Sequence, residues 1–156
     1  MKSSPVIYEQ RFIPVVDRKP MRQELRWLDA IPVKKKIISW YRSYHGGTSN
    51  SSAATGECRR WMNGDSTPGF VKAFNPFPLF FKPGGNDATE EQMVEASLVM
   101  LEEQILNEGP DNIASIMTES VLGSGGCFIF PPGYMQGIQA ICEQYGILLH
   151  VDEVMM

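Results

Sequence analysis

Apolar positions along the chain fall into two kinds of run. From Thr89 to Glu108, Val94, Leu98, Leu101 and Ile105 recur at helical spacing until Gly109-Pro110 ends the run. Thr89 with Gln92 three residues on makes the capping-box pattern that starts such a helix. IASIMTES reads as an apolar strand. PPGYMQGIQAICEQYG reads as a helix that opens near the prolines and closes at Gly146, a glycine C-cap. ILLHVDEV reads as a second apolar strand. Strand, loop, helix and strand within about 40 residues form a βαβ unit, which predicts an α/β fold, mainly parallel sheet with flanking helices.

Earlier in the chain the pattern is weaker. KKKIISWYRSY reads as a short strand after a charged run. HGGTSNSSAATG is rich in small, turn-forming residues, and PGFVKAFNPFPLFFKPGGND, dense in proline and phenylalanine, reads as a long ordered loop with buried aromatics. Residues 1–32 mix Pro5, Pro14, Pro20 and Pro32 with charges and show no sustained period. They form an unassigned leader, and residues 33–156 the folded unit.

With 156 residues and 43% hydrophobic content, one core of ordinary size is expected. The net charge of −4 gives no broad basic field, which disfavours nucleic acid and anionic membrane as partners. Cys58, Cys127 and Cys142 form no CxxC pair and leave an odd thiol, so neither a disulfide framework nor a metal site is expected, and a reducing cytoplasm fits best. No apolar run approaches the roughly 20 residues of a membrane span, and the start MKSSPVIYEQ lacks the apolar centre of a signal peptide.

The chemistry lies at strand ends. Glu119 and Asp152 each sit at the carboxyl end of an apolar strand, where open α/β sheets place their ligand crevice. A carboxylate there is costly to bury without a partner, and a cationic ligand group would serve as one. Taken singly, Asp152 also reads as a cap of the following turn, Tyr44 as a core aromatic and Gly123–Gly126 as a flexible turn. His150 reads as a satisfied core histidine, His45 as structural rather than catalytic, and Arg59, Arg60 and Lys34–Lys36 as solvated surface.

Four motifs in register narrow these choices. SYHGGTS at 43–49, TESVLGSGG at 118–126, PPGY at 131–134 and LLHVDEV at 148–154 resemble, in order and spacing, the class III aminotransferases of pyridoxal-phosphate fold type I. The resemblance covers about 120 residues and implies part of that fold's large domain. It implies pyridoxal 5′-phosphate as cofactor and transfer of an amino group from an ω-amino acid or amine to a 2-oxo acid such as pyruvate. It places Asp152 on the pyridine nitrogen and Tyr44 stacked on the ring, with His45 and Gly46 shaping the turn. Glu119 falls beside the ring and Val154 on the face opposite Tyr44. Ser120 departs from the proline most relatives carry.

The resemblance also implies a lysine that holds the cofactor, lying well beyond the DEV motif. None of Lys34, Lys35, Lys36, Lys72 or Lys82 takes that position, so no catalytic lysine is assigned and the chain reads as an internal piece of the large domain. The family's homodimer completes each site across the subunit boundary, and PGFVKAFNPFPLFF is the candidate for that contact. The competing reading is an inert segment or binding module that retains part of a cofactor pocket.

Overall fold

A computed structural model describes residues 34–63, 67–79 and 81–155; the leader falls outside the described residues. A parallel four-stranded sheet, in the order β2-β1-β3-β6, organises them. In chain order the elements are β1 (Lys36–Trp40), α1 (Ser49–Ala54), β2 (Phe70–Ala73), α2 (Glu90–Glu108), β3 (Ile113–Glu119), β4 (Val121–Leu122), β5 (Phe128–Ile129), α3 (Tyr134–Tyr145) and β6 (Leu148–Asp152). Short 3₁₀ helices cover Cys58–Asn63 and Pro110–Asn112. Among the described residues no helix is long and apolar enough to cross a membrane.

The expected βαβ unit is present as β3, α3 and β6, with a small antiparallel hairpin of β4 and β5 set into its loop. Every residue of β3 is buried, as befits a central strand covered on both faces. One face carries Ile38, Trp40, Ala73 and Ile116, and packs with Leu101 and Ile105 of α2 and Ile138 and Ile141 of α3 in the main core. Burying each such aliphatic side chain contributes about 1.5–3 kcal/mol. The Trp40 indole donates to Thr118 Oγ1 at 2.7 Å, so the largest core ring leaves no buried donor unpaired.

The helix ends are closed by local and distant means. At Thr89 the capping box forms as the sequence predicts: Gln92 N donates to Thr89 Oγ1 at 3.3 Å and Thr89 N to Gln92 Oε1 at 3.0 Å. Gly146, with φ of 59°, ends α3 in the left-handed region. Lys35 is exposed, as expected of solvated surface, whereas Lys34 and Lys36 are half-buried and bonded to helix ends. The Lys34 ammonium donates to Gly146 O at 2.7 Å, and Lys36 reaches Glu108 O at 3.1 Å and the Glu108 carboxylate at 2.6 Å. Each neutralises the carbonyl end of a helix packed beside β1.

Two elements depart from expectation. Ser49–Ala54, read as a turn-rich stretch, is the short helix α1. Phe70–Ala73, read as loop, is the edge strand β2, paired in parallel from Ile37↔Phe70 to Trp40↔Ala73. The aromatics beyond it are only partly buried: Phe77 is 5% exposed, but Phe74 is 51% exposed and stacks between Tyr41 and Phe81.

Candidate functional site

The carboxyl ends of β1, β3 and β6 converge. In the parallel register Glu119 lies beside Asp152, and Met117 beside His150, so these side chains share the sheet face opposite the main core. Beyond Trp40 the chain turns through Arg42, whose φ is 70°, and returns across the strand ends as Ser43, Tyr44 and His45. Ser43 Oγ donates to Trp40 O at 2.7 Å, and Ser43 O accepts from Gly56 N at 2.9 Å. At Gly56 a Cβ would stand 1.8 Å from Trp40 O, so only glycine lets the exit of α1 cross this closely over β1.

The turn delivers two contacts to the carboxylates. Tyr44 N donates to Glu119 Oε1 at 3.0 Å, and His45 Nδ1 lies 2.8 Å from Asp152 Oδ2. An ionised carboxylate only accepts, so Nδ1 carries the proton in that bond. His45 is buried, and its Nε2 is buried without a hydrogen-bond partner among the described residues. Gly46 has φ of 114°, and a Cβ there would meet Ser51 Oγ at 2.9 Å.

Glu119 thus already has a partner within the protein. Its second oxygen accepts from Gly123 N at 3.0 Å, so one carboxylate braces the Tyr44 turn and the glycine-rich turn of the hairpin together. Burial raises its pKa, and the two amides and His45 only partly oppose this. Asp152 behaves in the opposite way. Burial pushes its carboxyl up, but the hydrogen bond and charge of His45 outweigh that and hold it below the usual carboxylate value. His150, half-buried on the same face, is lowered by burial and by His45, against the pull of Asp152.

Asp152 keeps one oxygen in reserve. Oδ2 is held by His45, whereas among the described residues Oδ1 has only a long contact from Val154 N, at 3.4 Å. An ionised, oriented carboxylate with a spare acceptor suits a protonated ring nitrogen, so the residues present fit pyridoxal phosphate. Tyr44 is half-buried and carries the Arg59 guanidinium 4.2 Å from its ring centroid, while Arg59 also pairs with Glu57. Arg59 is exposed, as expected, and its guanidinium lies over the site's aromatic wall. Val154 is 79% exposed at the strand end. The structure brings Tyr44, His45, Gly46, Glu119 and Asp152 together through direct contacts, with Val154 touching the group through its backbone. Sequence reasoning passed over Thr55, which bonds the His45 amide, and Lys72, which bonds the carbonyl end of α1; no local signal marks either.

This arrangement of parallel sheet, covering helices and strand-end acid is that of pyridoxal-phosphate fold type I, seen in part. A transaminase solved with L-alanine superposes with a TM-score of 0.78 at 30% identity, over 88% of this chain and 34% of that one. A thermostable (S)-enantioselective omega-transaminase from Thermomicrobium roseum gives 0.75 at 36% identity, over 86% and 30%. In sequence, the hypotaurine/taurine–pyruvate aminotransferase of Paracoccus denitrificans is 38% identical over 122 residues, and a probable mitochondrial γ-aminobutyrate transaminase of rice is 37% identical over 123. The chain spans 26% and 24% of the lengths of these two relatives. The class III aminotransferase family model matches residues 19–156, beginning within the leader segment. The chain belongs to the class III aminotransferases, a family dependent on pyridoxal phosphate.

Proposed function

We infer that this chain forms the ring-binding wall of a pyridoxal-phosphate-dependent transaminase that moves an amino group from an ω-amino acid or amine to a 2-oxo acid such as pyruvate. The observation that carries the reading is the His45–Asp152 pair at the sheet's carboxyl end, whose Oδ1 accepts only a long bond from Val154 N among the described residues. The cofactor, when bound, acts as an electron sink for the electrons released as a bond at the donor carbon breaks. Asp152 would hold the ring nitrogen protonated, which is what makes that sink deep. His45 keeps Asp152 ionised and aimed. Tyr44 and Val154 would cover the two ring faces and exclude water, and Glu119 fixes the Tyr44 backbone.

Asp152→Asn, made in the protein with its catalytic lysine, keeps size and removes charge. Turnover is expected to fall on the order of a hundredfold or more, since each 1.4 kcal/mol of lost transition-state stabilisation is about a factor of ten. Cofactor affinity falls less. Turnover within about twofold of the parent would leave Asp152 as a strand-end cap and no more.

On the same reading the 156 residues alone do not turn over. Lys34 and Lys36 are committed at the amino end of β1, away from the site, Lys72 to α1, and Lys82 to Asn86 O at 3.3 Å. Borohydride reduction after incubation with pyridoxal phosphate is expected to label none of these lysines specifically. Specific labelling of one, with measurable amine transfer to pyruvate, contradicts this. A homodimer would cover Phe74 and Leu79, 51% and 80% exposed, and sedimentation as a single monomer counts against it.

A further inference from the structure

Lys72 is a half-buried cation whose partners are all neutral. Its ammonium donates to Ser39 Oγ at 2.6 Å, to Ala53 O at 2.5 Å and to Ala54 O at 2.7 Å. Three N–H groups meet three acceptors, one on β1 and two at the carbonyl end of α1. That helix has six residues, well below the length at which a helix stands without tertiary support.

The residue that follows it is part of the site's frame. Thr55 Oγ1 accepts from His45 N at 3.0 Å and lies 2.9 Å from Ser51 O and 3.2 Å from Gly46 O. The ammonium and the His45–Gly46 turn are therefore fastened to the same last turn of α1 from opposite sides.

We propose that Lys72 is a positioning residue for the cofactor site: by holding the carbonyl end of α1 it fixes Thr55, hence the backbone of His45 and Gly46, and hence the imidazole on Asp152. The function assigned to that turn rests on the reading given above. The mechanical link does not.

The link has a titratable signature. A neutral amine offers two N–H groups and a lone pair, so on losing its proton Lys72 can donate to only two of the three acceptors, and either a carbonyl of α1 is released or the Ser39 hydroxyl turns to donate to the lone pair. Burial and the charge of Arg60 lower its pKa to about 7, within reach of ordinary buffers. The charged and titratable groups around it are few. Arg60 comes from the 3₁₀ turn, and α2 contributes the uncharged Gln104, which donates to Lys72 O at 3.0 Å. Glu119, His150 and Asp152 lie on the same sheet face, on β3 and β6.

Nitrogen-15 spectra of the chain, followed across neutral pH together with the Lys72 side-chain resonance, test this. The amides of His45, Gly46 and Thr55 are expected to share an inflection with Lys72 itself, agreeing within about half a pH unit. Lys72→Arg, which stays charged, should keep these amides dispersed and abolish that inflection, leaving only any contribution from His45 and His150. Lys72→Met should broaden them or shift them toward disordered values at every pH. Turn amides that ignore the Lys72 titration, or a Lys72→Met spectrum unchanged at 44–46, would overturn the proposal. Should either variant fail to fold, the wild-type titration decides alone. Adding pyridoxal phosphate to the same samples separates the two readings: amides that follow Lys72 but ignore the cofactor sustain the link and sink the cofactor wall.

Discussion

The two faces of the sheet differ in what holds them. On one, Ile38, Trp40, Ile116 and Ala73 meet two long helices, and stability comes from area removed from water. On the other, Ser39, Lys72, Ser115, Glu119, His150 and Asp152 sit among few apolar partners, with Ile37, Ala54, Met117 and Phe70 as a small core beneath α1. The first face tolerates imprecision, since hydrophobic contact is non-directional. The second depends on hydrogen bonds whose geometry must be met one at a time. A protein that must present a charged, aimed group on a rigid strand end gains from this division: rigidity comes from one side and chemistry from the other.

Adjacent residues of β3 expose the contrast. Ile116 is fully buried on the apolar face, and Ile116→Ala is expected to lower unfolding free energy by about 2–5 kcal/mol through lost transfer energy and a cavity. Urea denaturation reads this directly, and a loss below about 1 kcal/mol would mean that the two faces do not divide the work as argued.

A smaller effect is expected from pH. Asp152 has a folded pKa below its ordinary 3.8, so its contribution is fully present above that value and is lost as pH falls through the folded one. Glu119 has the opposite sign, because its folded pKa lies above 4.5 and stability declines as pH rises through that raised value. Acid titration of stability should thus show a limb below pH 3.8 that Asp152→Asn removes. An unchanged limb in the variant would assign it to other carboxylates.

The smallest change is expected one residue before Ile116. Ser115 is buried with its hydroxyl lacking a hydrogen-bond partner among the described residues, so Ser115→Ala removes an uncompensated polar atom. Stability should stay within about 0.5 kcal/mol or rise. A loss above about 1 kcal/mol would reveal a bound water or ligand atom that the hydroxyl serves.

Sequence alone reached β1, α2, α3, β3 and β6 because their signals are local. Thr89 and Gln92 cap one helix three residues apart, Gly146 closes another, and the apolar strands need only their own side chains to declare themselves. The motif residues Tyr44, Glu119 and Asp152 were legible through resemblance, and their meeting place follows from parallel strands having their carboxyl ends together. Tertiary structure decided the rest. The six residues of α1 have no apolar period and form a helix whose carbonyl end meets Lys72, and β2 is a strand because β1 offers it a partner. Lys34 and Lys36 become caps only when the helices arrive beside them. His45 finds Asp152 across 107 residues of chain. Such pairs carry no signature in the sequence near either member, because the energy that fixes them is released only when distant segments have already packed.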